Sequence, residues 1–190
     1  VYRLNGDYDR AMEYYLKALA ISEKVLGEEH PDTAWSYNNI GNVYSNKGNY
    51  DRALEYHLKA LAIDKKVLGE EHLDTANSYN NIGSVYRLNG DYDRAMEYYL
   101  KALAIREKVL GEEHPDTAGS YNNIGNVYAK KGDYDRALEY YLKALAIREK
   151  VLGEEHPDTA VSYNNIGNVY SAKGDYDRAL EYYLKALAIR

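Results

Sequence analysis

Apolar and polar positions alternate along this chain with the period of a helix. From Pro31, the residues Ala34, Tyr37, Ile40 and Tyr44 fall at intervals of three or four among polar neighbours. That spacing predicts a helix with one buried face. Pro31-Asp32-Thr33 supplies its start: proline suits the first turn, and Asp32 favours the positive end of the helix dipole. Either His30 or Asp32 is the N-cap. Gly48 stops the helix as a residue free to take a positive φ. After the turn Asn49-Tyr50-Asp51, with Asp51 a plausible N-cap, the pattern resumes. A second helix is predicted from about Arg52 to Leu68. Ala53, His57, Ala60, Leu61 and Val67, with Leu54, Leu58 and Ile63, give it the wide apolar surface of a helix packed between neighbours. Glu55 and Lys59 stand four apart in the favourable order, and Gly69 ends the element.

The pattern repeats. Thr33-Ala-Trp-Ser-Tyr-Asn-Asn-Ile-Gly-Asn-Val-Tyr44 recurs almost unchanged at 75–86, 117–128 and 159–170, a step of 42 residues. No linker or change of composition interrupts it. Repetition at this period is the signature of stacked helical units that form one continuous body. The expected organisation is a single array over 1–190, with a partial unit at 1–30, units at 31–72, 73–114 and 115–156, and a truncated unit at 157–190. Residues 1–34 repeat 85–118 with one difference, Ser22 for Arg106. Val1–Gly6 therefore reads as the tail of a first helix, Arg190 falls inside a second one, and the chain is expected to begin and end mid-unit.

The small residues Gly41, Ala53 and Ala60, set among the bulky Tyr37, Ile40, Tyr44 and Tyr50, resemble the tetratricopeptide repeat. Tyr37, Ile40-Gly41 and Tyr44 match that family's first-helix positions, and Ala53 and Ala60 match its two second-helix alanines. The aromatic between the alanines matches Tyr15, Tyr99, Tyr141 and Tyr183, but is His57 in one unit. The proline that usually ends the family's repeat is absent; Lys65 stands there and the helix continues. This longer unit, with Ala-Leu-Ala-Ile-Arg-Glu-Lys-Val-Leu-Gly-Glu-Glu-His-Pro-Asp-Thr-Ala at 102–118, is most similar to the repeats of kinesin light chains and nephrocystin-3-type proteins. The resemblance implies an all-α right-handed solenoid of stacked antiparallel helix pairs, in which first helices line a concave groove for extended peptides.

Composition adds one point. Tyrosine occurs 23 times, tryptophan once and phenylalanine never. A tyrosine ring fills a core while its hydroxyl needs a partner, which suits a thin array more than a deep globule. Net charge is −6, against the basic surplus of a nucleic-acid binder, so no nucleic acid is expected. Cysteine is absent, which excludes disulfides, thiol nucleophiles and cysteine metal sites. No apolar run reaches membrane length and no signal segment opens the sequence, so a cytoplasmic setting with no membrane partner is expected.

Differences between units mark the candidate binding face. Trp35 becomes Asn77, Gly119 and Val161; Ser45 becomes Arg87, Ala129 and Ser171; Asn46 becomes Leu88, Lys130 and Ala172; Asn42 becomes Ser84 in one unit and stays Asn126 and Asn168 in the others. These positions cluster near one face of the first helix. Beside them stand the constant Asn38, Asn80, Asn122 and Asn164, whose amides both donate and accept and suit the backbone of an extended peptide. Asn39, Asn81, Asn123 and Asn165 are expected to hold helices together. The expected groove thus comprises Trp35, Asn38, Asn42, Ser45, Asn77, Asn80, Ser84, Arg87, Asn122, Asn126, Lys130, Asn164 and Asn168. Clamping of a C-terminal carboxylate is disfavoured, because asparagine stands where such clamps carry lysine. Arg87, Lys130 and Arg3 supply scattered positive charge, and the resemblance to kinesin light chains implies an acidic peptide bearing an aromatic residue.

Catalytic and metal chemistry finds no footing. His30, His72, His114 and His156 recur one per unit, too far apart to share a metal, and read as loop or cap residues. His57 reads as a packing residue. Glu28-Glu29 and its copies are solvated carboxylates. No phosphate loop or serine-nucleophile motif occurs. The chain is read as a protein- or peptide-binding scaffold, not an enzyme, with no cofactor and no metal. The alternative is a recently duplicated or engineered array whose main property is structural, with head-to-tail self-association through its uncapped ends.

Overall fold

The computed structural model describes residues 7–189; Val1–Gly6, with Arg3, and Arg190 lie outside the described residues. Among these there are nine helices and no strand. They are α1 (Tyr8–Val25), α2 (Pro31–Asn46), α3 (Tyr50–Val67), α4 (Leu73–Leu88), α5 (Tyr92–Leu110), α6 (Pro115–Lys130), α7 (Tyr134–Leu152), α8 (Pro157–Ala172) and α9 (Tyr176–Ala188). Consecutive helices pack as pairs, the arrangement of tetratricopeptide solenoids. The chain divides into two compact units, Val1–Ile105 and Arg106–Arg190, with the division inside α5.

Local chemistry sets each boundary. His30 caps α2: its Nδ1 accepts from the Asp32 amide at 3.1 Å. His72, His114 and His156 do the same for α4, α6 and α8, so the recurring histidines are caps. The second helices are capped two residues earlier than Asp51: Asn49 accepts from the Arg52 amide, as Asp133 does from Arg136. Asp51 lies in the first turn, where its charge serves the helix dipole. Gly48 and Gly69 take φ of +75° and +97°, which only glycine adopts without strain. The connecting loops are tied down by a buried threonine. Thr33 donates to the Gly27 carbonyl at 2.9 Å and Thr117 to the Gly111 carbonyl at 2.8 Å.

Within each pair, bulky and small residues interlock. In the first unit Ile40 and Val43 of α2 are fully buried, as are Ala53 and Ala60 of α3; in the second unit Ile124, Val127, Ala137 and Ala144 do the same. The approach is close enough that a Cβ on Gly125 would lie 2.8 Å from the Tyr141 ring. Leu58 and Val67, expected to be covered, are 42% and 47% exposed.

The tyrosines stack on one another, and several find partners for their hydroxyls. Tyr56 stacks on Tyr44 with ring centroids 5.5 Å apart, and Tyr140 stacks on Tyr128 at the same distance. The Tyr37 hydroxyl donates to Glu23 at 2.7 Å; burial and that carboxylate push its pKa up to about 12. Lys59 bonds Glu55 at 3.1 Å and lies over the Tyr56 ring.

Candidate functional site

In the first unit, α2 and α4 present their polar faces to one another. Between them lies a cleft of about 340 Å³. Asp32, Trp35, Asn38, Asn39 and Asn42 line it from α2; Asp74, Asn77 and Asn81 line it from α4; Asp64 reaches it from α3. Trp35 is 63% exposed, because its position on α2 faces away from α3. Asp64 is the opposite case, only 3% exposed.

Beneath the cleft runs a chain of hydrogen bonds. The Asn38 amide donates to Ser78 Oγ at 3.0 Å, and the Ser78 hydroxyl donates to Asp64 Oδ2 at 2.6 Å. Asn38 Oδ1 lies 2.8 Å from His57 Nδ1. An amide oxygen only accepts, so Nδ1 carries the imidazole proton. His57 Nε2 is then a bare acceptor, fully buried and without a partner. Burial holds His57 neutral and lowers its pKa to about 4. Burial also raises the Asp64 pKa, against the lowering effect of the Ser78 hydroxyl. Among the described residues no lysine or arginine pairs with Asp64; His72, when charged, lowers its pKa and Asp74 raises it.

The second unit carries the same frame with different fittings. Where His57 stands in α3, α7 has Tyr141, whose hydroxyl donates to Asn126 Oδ1 at 2.7 Å. Where Asp64 stands, α7 has Arg148, 8% exposed. Its guanidinium donates to Ser162 Oγ at 2.7 Å and to the Asp158 carbonyl at 3.0 Å. Arg106 makes the equivalent bonds to Ser120 and Asp116. In place of Trp35 the second unit has Gly119 and Val161.

The sequence-predicted groove residues are all at least partly exposed. Trp35, Asn38, Asn42 and Asn77 converge on the α2–α4 cleft. Asn80, Ser45, Ser84 and Arg87 do not line it; Ser84 Oγ pairs with the Tyr99 hydroxyl at 3.0 Å. In the second unit Asn126 and Asn168 accept from Tyr141 and Tyr183, and Asn122 Oδ1 accepts from Asn165 at 2.8 Å. Lys130 and Asn164 are exposed. Asn81 reaches Asn38 Oδ1 at 3.4 Å, as Asn165 reaches Asn122, so these asparagines cross-link neighbouring first helices. Sequence reasoning missed Asp64, Asp32 and Asp74. The signal for Asp64 was present: its position reads Ser22, Asp64, Arg106, Arg148 and Arg190, a reversal of charge within the repeat that the next position shares, where Lys65 replaces Glu23, Glu107 and Glu149.

No group of three or more His, Asp or Glu among the described residues is placed to hold a metal ion. No helix among them is long and apolar enough to cross a membrane.

Comparison with known proteins matches the architecture. A crystal structure of BtubC (BKLC) from P. vanneervenii is 31% identical, with a TM-score of 0.83, over 100% of this chain and 75% of that one. A putative kinesin light chain of Podosopora anserina with nearly identical repeats is 30% identical, with a TM-score of 0.78, over 99% and 89%. MamA is 26% identical, with a TM-score of 0.61, over 98% and 91%. A search of curated proteins finds no match. The family model for the tetratricopeptide repeat matches residues 1–66, 37–108, 74–150 and 116–190, which together span the sequence. The chain belongs to the tetratricopeptide repeat family.

Proposed function

We propose that the chain is a scaffold that holds an extended peptide against its first helices, along α2 and α4 in the first unit or along α6 and α8 in the second. Tetratricopeptide repeats are generally non-catalytic scaffolds. The observation that carries the reading is the cleft between α2 and α4, bordered by Trp35, Asn38, Asn42 and Asn77. The Asn42 amide and the Trp35 indole offer a donor, an acceptor and an apolar face to a backbone laid between the helices, while Asn38, held by Ser78, His57 and Asn81, shapes the floor of the cleft. The acidic, aromatic-bearing peptides implied by the kinesin light chains would find a charge partner at Arg87 in the first unit or at Lys130 in the second.

The test is a peptide-library screen against the wild-type chain and against a variant carrying Trp35→Ala and Asn42→Ala. Neither residue belongs to the buried core, so helix content should stay unchanged by circular dichroism. The reading expects selected peptides to lose at least tenfold in affinity for the variant. Equal affinity would place binding elsewhere.

A second reading, association between copies, draws on the exposure of Leu180, Leu184 and Leu187 of α9 at 57%, 55% and 58%. Light scattering that rises with concentration would support it, and a constant monomer mass would oppose it.

A further inference from the structure

The α2–α4 cleft lacks something that the sibling positions possess. Arg106 and Arg148 each place a guanidinium against a buried serine hydroxyl and a carbonyl at the start of the following first helix. At Asp64 the chain supplies a carboxylate instead. Its serine, Ser78, has turned to donate to it, and the space opens as the cleft. A carboxylate buried to this degree is costly without a cationic partner, and one hydroxyl donor is a weak substitute for a positive charge. The cleft has a second feature fitted to a cation: Trp35, the chain's one tryptophan, forms an exposed wall. An indole face attracts a guanidinium and stacks with its plane. The three carboxylates around the opening do not converge as metal ligands. The complementary cation is therefore an extended one, able to touch the indole and Asp64 together.

We propose that the cleft takes the arginine side chain of a bound peptide, its guanidinium paired with Asp64 and stacked on Trp35. The ligand would thus supply the guanidinium that the sibling units carry in their own chain. Asp32 and Asp74 at the opening add attraction for the incoming charge, and Asn42 and Asn77 flank the peptide backbone. The inference rests on the groove reading above and names the side chain that the first unit selects.

Because Trp35 is the one tryptophan, its fluorescence reports directly on the cleft. Four Gly/Ser peptides are titrated against the wild-type chain, alike except for one central residue: arginine, its uncharged isostere citrulline, lysine, or glutamate. The arginine peptide is expected to shift Trp35 emission and to bind at least tenfold more tightly than the citrulline peptide, with no response to glutamate. Asp64→Asn should reduce arginine to the citrulline level. Asp64→Arg should abolish the response, since the chain's own guanidinium then fills the space. Equal binding of the arginine and citrulline peptides would overturn arginine recognition while leaving the groove reading standing. So would equal binding of a lysine peptide, because it would show that charge alone is read. No emission change with the arginine peptide up to millimolar concentration would also overturn it, whatever the library screen finds. Equal affinity of the selected peptides for the wild type and the Trp35→Ala, Asn42→Ala variant in that screen is the separate failure that removes the groove reading. The wild-type comparison decides the matter even if a variant folds poorly.

Discussion

The α2–α4 region and the α6–α8 region share one frame and differ at a few fittings. Both bury the same isoleucine, valine and alanine positions, stack the same tyrosines and cap their first helices with the same histidine. In the second region the corresponding fittings are answered from within the chain: the Tyr141 hydroxyl by Asn126, the Arg148 guanidinium by Ser162 and the Asp158 carbonyl. In the first, His57 leaves a buried nitrogen unpaired, Asp64 has no lysine or arginine partner and Trp35 stands exposed. An array built on one frame spends its variation where the frame does not need it. The unit that is least self-satisfied is the one with most to offer a ligand.

The largest expected effect concerns His57. An unfolded histidine takes up its proton near pH 6.5, whereas the buried one does so only near pH 4. Between those values the unfolded chain binds more protons. The stability carried by neutral His57 is therefore complete above about pH 6.5 and is lost as the pH falls toward 4, by about 3 kcal/mol. His57→Tyr installs the sibling residue, which does not titrate in this window. Denaturant unfolding at a series of pH values should show the wild type losing that much more stability than the variant. Parallel curves would remove His57 from the comparison.

Next in size is Asp64→Arg. It gives the first region the guanidinium–serine bond of Arg148 and removes a buried carboxylate, and should stabilise the chain by about 1–2 kcal/mol. A loss of stability, read from the denaturation midpoint, would mean that the surroundings of Asp64 do not match those of Arg148. The smallest effect is expected at Gly119, the counterpart of Trp35. A Cβ there meets nothing within 4 Å, so Gly119→Ala should stabilise α6 by about 0.5–1 kcal/mol. Six residues on, Gly125→Ala drives a methyl into the Tyr141 ring and should have the opposite sign. The same sign at both positions would contradict the division of this helix into a packed face and a free one.

The division between frame and fittings also decides what the sequence discloses. The helices were legible because helical spacing and recurring glycines are local signals, and a 42-residue repeat shows each of them several times over. The cap of α3 was misread by two residues. Asn49 and Asp51 are both good caps, and only the backbone path chooses between them. Trp35, Asn38, Asn42 and Asn77 were legible as a face, since they lie on first helices and either vary or repeat in a visible way. Asp64 was not. It sits on a second helix, and its place in the cleft depends on how α4 lies over α3, which no spacing within one helix reveals. The engagement of Asn38 by His57 and Ser78 was hidden for the same reason: these partners lie 19 and 40 residues away in sequence.

The central claim is that the chain binds peptide on its first helices, and that the first unit's departures from its siblings create the place where it does so. The most direct measurement is amide and indole chemical-shift mapping by NMR with the best peptide from the library screen. The account predicts that the Trp35 indole and the side-chain amides of Asn42 and Asn77 move most, with the Tyr44–Tyr56 stack on the packed face unmoved. Shifts centred on the outer residues of the second helices, around Leu58 and Lys59, with Trp35 unchanged, would contradict it.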